Sequence, residues 1–246
     1  TNRKPFISGV MQEVIILAGG LGTRLKSAVP TLPKCMAPIH GKPFLHYVMS
    51  YLQTQKIDRY VFALGYKSQS IEDWVLEHFS QLNIAFSVEE TPLGTGGAVQ
   101  AALQYCNQDH VWVVNGDTLF TADLKAQREF HLQSNAFCTL ALKSMQDFDR
   151  YGVVNQDAKG RILSFEEKKA YDQGLINGGV YLLDKNGYFR LHLPESHSFE
   201  KDYLEKVVHG GKLFGMAHDA YFIDIGIPSD YEKAQHELPQ LGLTKD

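Results

Sequence analysis

The amino-acid sequence predicts a doubly wound α/β fold on a mixed, mainly parallel sheet. Three observations carry this expectation. Apolar runs of strand length alternate with helical periodicity through the first half of the chain. The first run, Val14-Ile15-Ile16-Leu17-Ala18, is apolar throughout, as a strand covered on both faces must be. It then opens directly into a glycine-rich turn, at the strand end where such sheets place their ligands.

The remaining elements follow in order. Phe44, Leu45, Val48 and Leu52 recur at helical spacing and predict a helix over 43–56. Residues 60–64 read as the second strand and 71–79 as the second helix. Residues 84–88 form the third strand, 98–105 a helix and 111–114 the fourth strand, so the βα units should cross over right-handed. Beyond Ala136 the pattern loosens. Residues 137–143, 152–155, 161–165 and 177–183 look like strands with turn-rich connections, which predicts a mixed sheet extending the first. No internal repeat or linker interrupts 11–246, which is expected to be a single domain. Residues 1–10, ahead of Met11, are set aside as an N-terminal arm or expression remnant.

The bulk properties narrow the function classes. A chain of 246 residues with 44% hydrophobic content can bury an ordinary core. A net charge of -4 supplies no general attraction to nucleic acid or an anionic membrane, and neither is expected as a partner. No apolar run approaches the roughly 20 residues of a membrane-spanning helix. Cys35, Cys106 and Cys138 are odd in number and include no CxxC pair, which points to free thiols in a reducing, cytoplasmic setting rather than to disulfides or zinc.

The turn after the first strand reads Gly19-Gly20-Leu21-Gly22-Thr23-Arg24-Leu25, with Lys34 ten residues beyond Arg24. Glycines let backbone amides approach a phosphate chain, and two cations at one mouth suit the same ligand. The dinucleotide fingerprint would need glycine in place of Leu25, and the P-loop would need Gly-Lys-Ser/Thr; both are missing. The competing reading is a tight turn with two solvated charges. Two aspartates also stand out. Asp117 follows the fourth strand, and Asp224 lies within Tyr221-Phe222-Ile223-Asp224-Ile225-Gly226. A carboxylate in apolar surroundings calls for a hydrogen-bond partner, an opposite charge or a metal; a helix cap or turn is the plainer alternative at each position.

Taken together, LAGGLGTRL, PKCMAPIHGKPFLHYV, VEETPLGTGGA, NGDTLF, FDRYGVV, FEEK, LINGGVYLL, SFEKD and FIDIGIPSDY resemble the motifs of the sugar-phosphate nucleotidyltransferases, over residues 11–235. The resemblance implies a Rossmann-like domain of the nucleotide-diphospho-sugar transferase type. It implies that Leu17, Gly19, Gly20, Gly22, Thr23 and Arg24 hold the nucleotide, with Gly116 beside them and Lys34 neutralising charge near the α-phosphate. Asp117 and Asp224 would bind Mg²⁺, and Glu89, Glu90, Gly94 and Thr95 would lie against the base. Tyr151, Gly152, Glu167, Lys168, Asn177 and Gly178 would form the sugar-phosphate pocket, with Lys168 on the phosphate. The catalytic set would be Arg24, Lys34, Asp117, Lys168 and Asp224. Two departures affect the loop: Ser27 stands where many members have proline, and Cys35 replaces a proline or leucine.

In detail the short Arg24-to-Lys34 loop and L-I-N-G-G-V-Y are most similar to the D-glycero-α-D-manno-heptose 1-phosphate guanylyltransferases of that family. That similarity implies transfer of GMP from GTP to the heptose 1-phosphate, giving GDP-heptose and pyrophosphate for bacterial surface glycans, by a monomer or homodimer. The attacking phosphate is already ionised, so no general base is implied and none of the ten histidines is given a catalytic role. A carboxylate at Glu89 or Glu90 could accept both N1–H and N2–H of guanine, although it could also meet N3–H of uracil. The alternatives are an N-acetylmuramate 1-phosphate uridylyltransferase, a mannose- or glucose-1-phosphate nucleotidyltransferase, or a silent sugar-nucleotide-binding protein. Retention of all five catalytic candidates weighs against the silent reading.

Overall fold

The structure is a computed structural model, and it describes residues 11–19, 32–65 and 68–243. The first half contains β1 (Glu13–Leu17), a short hairpin of β2 (Pro38–Ile39) and β3 (Lys42–Pro43), then α1 (Phe44–Thr54) and β4 (Arg59–Leu64). It continues through α2 (Ser68–Phe79), β5 (Asn83–Val88), α3 (Gly94–Leu103), β6 (His110–Asn115), β7 (Thr118–Phe120) and α4 (Leu124–Ser134). The second half holds β8 (Cys138–Phe148), β9 (Val154–Gln156), β10 (Ile162–Phe165), β11 (Tyr171–Asp184) and α5 (Lys185–Phe189). A π-helical stretch, Phe199–Leu204, runs into α6 (Glu205–His209), followed by β12 (Leu213–Ala217), β13 (Phe222–Asp224) and α7 (Pro228–Glu237).

Seven strands form the main sheet in the order β12-β8-β11-β6-β1-β4-β5. β1 runs parallel to both β4 and β6, and β4 runs parallel to β5. β11 is antiparallel to β6 and to β8, which makes the sheet mixed, as expected. The period-two geometry of a strand explains the uninterrupted apolar run of β1. Val14 and Ile16 enter the core layer formed with Phe44, Val48 and Ile71, whereas Ile15 enters the opposite layer with Val99, Leu103 and Tyr188. All three strand residues are fully buried, and each such side chain contributes roughly 1.5–3 kcal/mol by leaving water.

Two results depart from the strand assignments. The segments around 152–155 and 161–165 do form strands, but β9 and β10 pair with each other as a separate ribbon instead of extending the sheet. Their apolar, β-branched residues mark them as extended, whereas the partner is chosen by long-range packing that a local pattern does not encode. Several short or polar elements were also not anticipated, among them the β2–β3 hairpin, β7, α4, the helices from α5 onward, β13 and the edge strand β12 of the main sheet. α4 is signalled locally, because the Asp123 carboxylate accepts from Ala126 N–H at 3.0 Å and Asn135 ends the helix in the left-handed region.

Candidate active site

The strand order reverses at β1. The chain passes from β1 outward to β4 and β5, then returns to place β6 on the other side of β1. Such a switch point leaves a crevice outside the carboxyl ends of the two central strands. The close approach of those ends depends on Gly116. Its N–H donates to Leu17 C=O at 2.8 Å, and a Cβ there would lie 2.9 Å from the same oxygen. A cleft of about 420 Å³ opens at this point, with Leu17, Gly19, Lys34, Glu89, Thr95 and Asp117 in its wall. Gly94 also faces it. Gly20, Gly22, Thr23 and Arg24 lie outside the described residues.

Lys34 begins a short 3-10 turn anchored by buried Cys35 and Met36. Its ammonium lies 2.6 Å from Asp117 Oδ2 and 3.1 Å from Asp224 Oδ1. The two aspartates are brought together by β7 and β13, which pair antiparallel with Asp224 opposite Thr118, the neighbour of Asp117. Burial lowers the proton affinity of Lys34, but the two carboxylates outweigh burial and hold its pKa above the ordinary lysine value. Arg150 flanks the cluster: its guanidinium binds Asp230 and approaches Asp224 Oδ2 at 3.9 Å. Arg150 was missed in the sequence, although it directly precedes Tyr151 in the FDRYGVV motif.

The structure separates the two glutamates at the end of β5. Glu89 is half-buried in the cleft wall, and its Oε2 accepts from Leu93 N–H at 3.1 Å. Glu90 is exposed and lies outside that wall. Both residues lie just beyond the end of β5, and the bond to Leu93 holds the Glu89 side chain in the wall.

A second cavity, of about 340 Å³, is lined by Tyr151, Gly152, Glu166, Glu167, Lys168 and Asn177. Every sugar-pocket candidate except Gly178 faces it. Gly178 lines a smaller space of about 160 Å³ that also touches Asn177 and Asp224. Asn177 is held at both ends, its amide donating to Tyr181 Oη at 2.9 Å and its Oδ1 accepting from Gly179 N–H at 3.0 Å. Glu166 accepts from Asn155 Nδ2 at 2.9 Å and lies 3.0 Å from Tyr171 Oη. Glu200 is a second omission from the sequence reading. It reaches all three spaces, and its SFEKD motif was visible without a role attached.

The nucleotidyl transferase family model matches residues 13–240. The chain belongs to the nucleotidyl transferase family. Within it, this transferase is 48% identical to the D-glycero-α-D-manno-heptose 1-phosphate guanylyltransferase of Aneurinibacillus thermoaerophilus, over 92% of this chain and 98% of that one. It is 45% identical to the protein of the same name from Campylobacter jejuni subsp. jejuni, over 89% and 96%. The crystal structure of HddC from Yersinia pseudotuberculosis complexed with GMP-PN superposes on the transferase with a TM-score of 0.83 at 39% identity, covering 92% and 99% of the two chains.

Proposed function

We propose that this transferase moves GMP from GTP to D-glycero-α-D-manno-heptose 1-phosphate, releasing pyrophosphate and supplying GDP-heptose for a bacterial surface glycan. The observation that carries the reading is a pair of neighbouring cavities, one lined by Lys34 and Asp117 and one by Lys168 and Asn177, which share Glu200, with a smaller space lined by Asn177 and Asp224 beside them. The names of the relatives at 48% and 45% identity support the choice of guanine and heptose.

The donor set suits a divalent cation. Two carboxylates converge on one positive charge, the Lys34 ammonium, and their oxygens are the hard donors that Mg²⁺ prefers. Asp117 and Asp224 would hold it, and it would supply charge that offsets the repulsion between triphosphate and sugar phosphate. The chain's own residues do the rest. Lys34 neutralises the α-phosphate, and Lys168 receives the phosphate of the acceptor. Glu167 and Asn177 take up sugar hydroxyls, while Glu89 accepts the N1–H and N2–H donors of guanine. The acceptor phosphate needs no base, so positioning and charge neutralisation carry the rate. Residues 11–246 act as one domain in this reading, and three buried free thiols fit a cytoplasmic location. Among the described residues, no helix is long and apolar enough to cross a membrane.

Pyrophosphate release across four NTPs and a panel of sugar 1-phosphates tests the proposal. GTP with the heptose 1-phosphate should be turned over best. Glu89→Ala should narrow the preference for GTP over UTP by about tenfold or more, while Glu90→Ala leaves it intact. A preference for UTP in the parent enzyme would refute the guanylyl assignment.

A further inference from the structure

The loop entering α3 is joined to the segment before the π-helical stretch by an unusually dense set of bonds. His197 N–H donates to Leu93 C=O at 3.0 Å, and its own carbonyl accepts from Gly96 N–H at 3.0 Å and Gly97 N–H at 3.3 Å. The His197 ring is buried between Pro194 C=O, 2.7 Å away, and the Tyr188 hydroxyl at 2.8 Å; that hydroxyl is also 2.9 Å from Gly96 C=O. The glycines make this contact possible. A Cβ on Gly96 would lie 2.3 Å from His197 Cδ2, and one on Gly97 2.4 Å from Glu195 C=O. Loop and segment are therefore packed as one unit.

Glu200 projects from this unit. Thr95 Oγ1 accepts from Phe199 N–H at 2.9 Å and donates to Glu200 Oε2 at 3.1 Å, and Ser198 Oγ reaches the same oxygen at 3.3 Å. Both bonds fall on Oε2, and among the described residues Oε1 receives none, which leaves it acceptor capacity for a ligand. The π-helical register of Phe199–Leu204 buries Phe199, Tyr203 and Leu204 in the core while leaving Glu200 at the surface of the site. Single π-turns of this kind concentrate at functional positions. Glu200 borders the nucleotide cleft, the sugar cavity and the small space between them, two of the three on the sugar side. A carboxylate repels phosphate oxygens but accepts from hydroxyls, which suits it to a sugar ring and not to the diphosphate.

We propose that Glu200 is a specificity residue for the acceptor, binding a hydroxyl of the sugar 1-phosphate through Oε1, and that Thr95 of the nucleotide loop aims it. The inference rests on the reading of the second cavity as a sugar 1-phosphate site.

The test is steady-state kinetics with GTP and the heptose 1-phosphate, each varied in turn, for the parent enzyme, Glu200→Gln, Glu200→Ala, Thr95→Val and the double variant Glu200→Ala/Thr95→Val. Losing a charge-assisted hydrogen bond should raise KM for the sugar phosphate about tenfold in Glu200→Ala, and less in Glu200→Gln, with KM for GTP within about twofold of the parent. Thr95→Val should raise the sugar KM as well, and the double variant should add little beyond Glu200→Ala, because both changes remove one interaction. An unchanged sugar KM in Glu200→Ala, or a rise confined to GTP, would overturn the proposal; the latter would assign the carboxylate to ribose. A merely structural role would instead lower the melting temperature and raise both KM values together. Failure of the parent enzyme to turn over any sugar 1-phosphate would overturn the underlying reading, and this inference with it.

Discussion

Lys34, Asp117 and Asp224 show how a site residue acquires its role from partners far away in the chain. Alone, each aspartate is a carboxylate at a strand end. Across the β7–β13 pair they share one ammonium, at 2.6 and 3.1 Å, and hold it in its charged form. Replacing either carboxylate with an amide removes one of two negative charges while preserving shape. Asp117→Asn and Asp224→Asn are therefore expected to lower kcat by on the order of a hundredfold or more, with circular dichroism unchanged. Near-normal turnover in both variants would remove the basis for a two-carboxylate metal site. Glu89 and Glu90 make a related point. Adjacent in sequence and identical in chemistry, they differ in that only Glu89 lines the cleft.

At the scale of the element, α3 reveals why its first turn is rich in glycine. Helix propensity alone would favour alanine at Gly96 by about 1 kcal/mol. The contact with His197 reverses that preference, because a Cβ 2.3 Å from a buried ring atom forces the ring or the helix to move. Gly96→Ala is expected to destabilise the fold by roughly 1–3 kcal/mol, the usual cost of overpacking, and to raise KM for GTP through the displaced loop. Thermal unfolding and nucleotide kinetics check the two effects separately. A stabilised variant would show that the His197 contact yields freely. The β9–β10 ribbon illustrates the opposite case, in which the element was legible but its neighbour was not. Its apolar residues mark extended chain, yet the pairing that sets it beside the sugar cavity has no local signature.

For the whole molecule, a buried histidine is expected to make stability fall in acid. His131 of α4 is 1% exposed, with Nδ1 2.8 Å from Thr139 Oγ1 on β8 and Nε2 3.2 Å from His110 Nδ1 on β6. Burial, reinforced by His110 and Arg128, pushes its pKa from 6.5 down to about 3. His110 is itself held low by burial, with Asp184 and Asp109 acting against it and Arg128 with it. A depressed histidine pKa means that the unfolded chain binds the proton more tightly. The contribution is thus complete above pH 6.5 and is lost as pH falls from 6.5 toward 3, at up to about 1.4 kcal/mol per pH unit for one proton. Urea unfolding between pH 7 and 4 should show this slope in the parent and a shallower one in His131→Gln. Equal slopes would exclude His131 as its source.

The sequence by itself determined the alternation of strands and helices, the two-sided burial of β1, and the residue types needed for a phosphate site. These properties are local. Side-chain period, chain stiffness at glycine and the cost of a buried carboxylate can all be read within a few residues. The full-chain motif resemblance added the family, which the match over residues 13–240 bears out. Only the tertiary structure decided which carboxylates share a cation, which of two adjacent glutamates faces the cleft, and that Arg150 and Glu200 stand at the site. It also turned an apparent sheet extension into a separate ribbon. Each of these depends on pairing between segments distant in the chain. Such pairing is selected by the summed packing of the whole core, so no short stretch of sequence carries it alone.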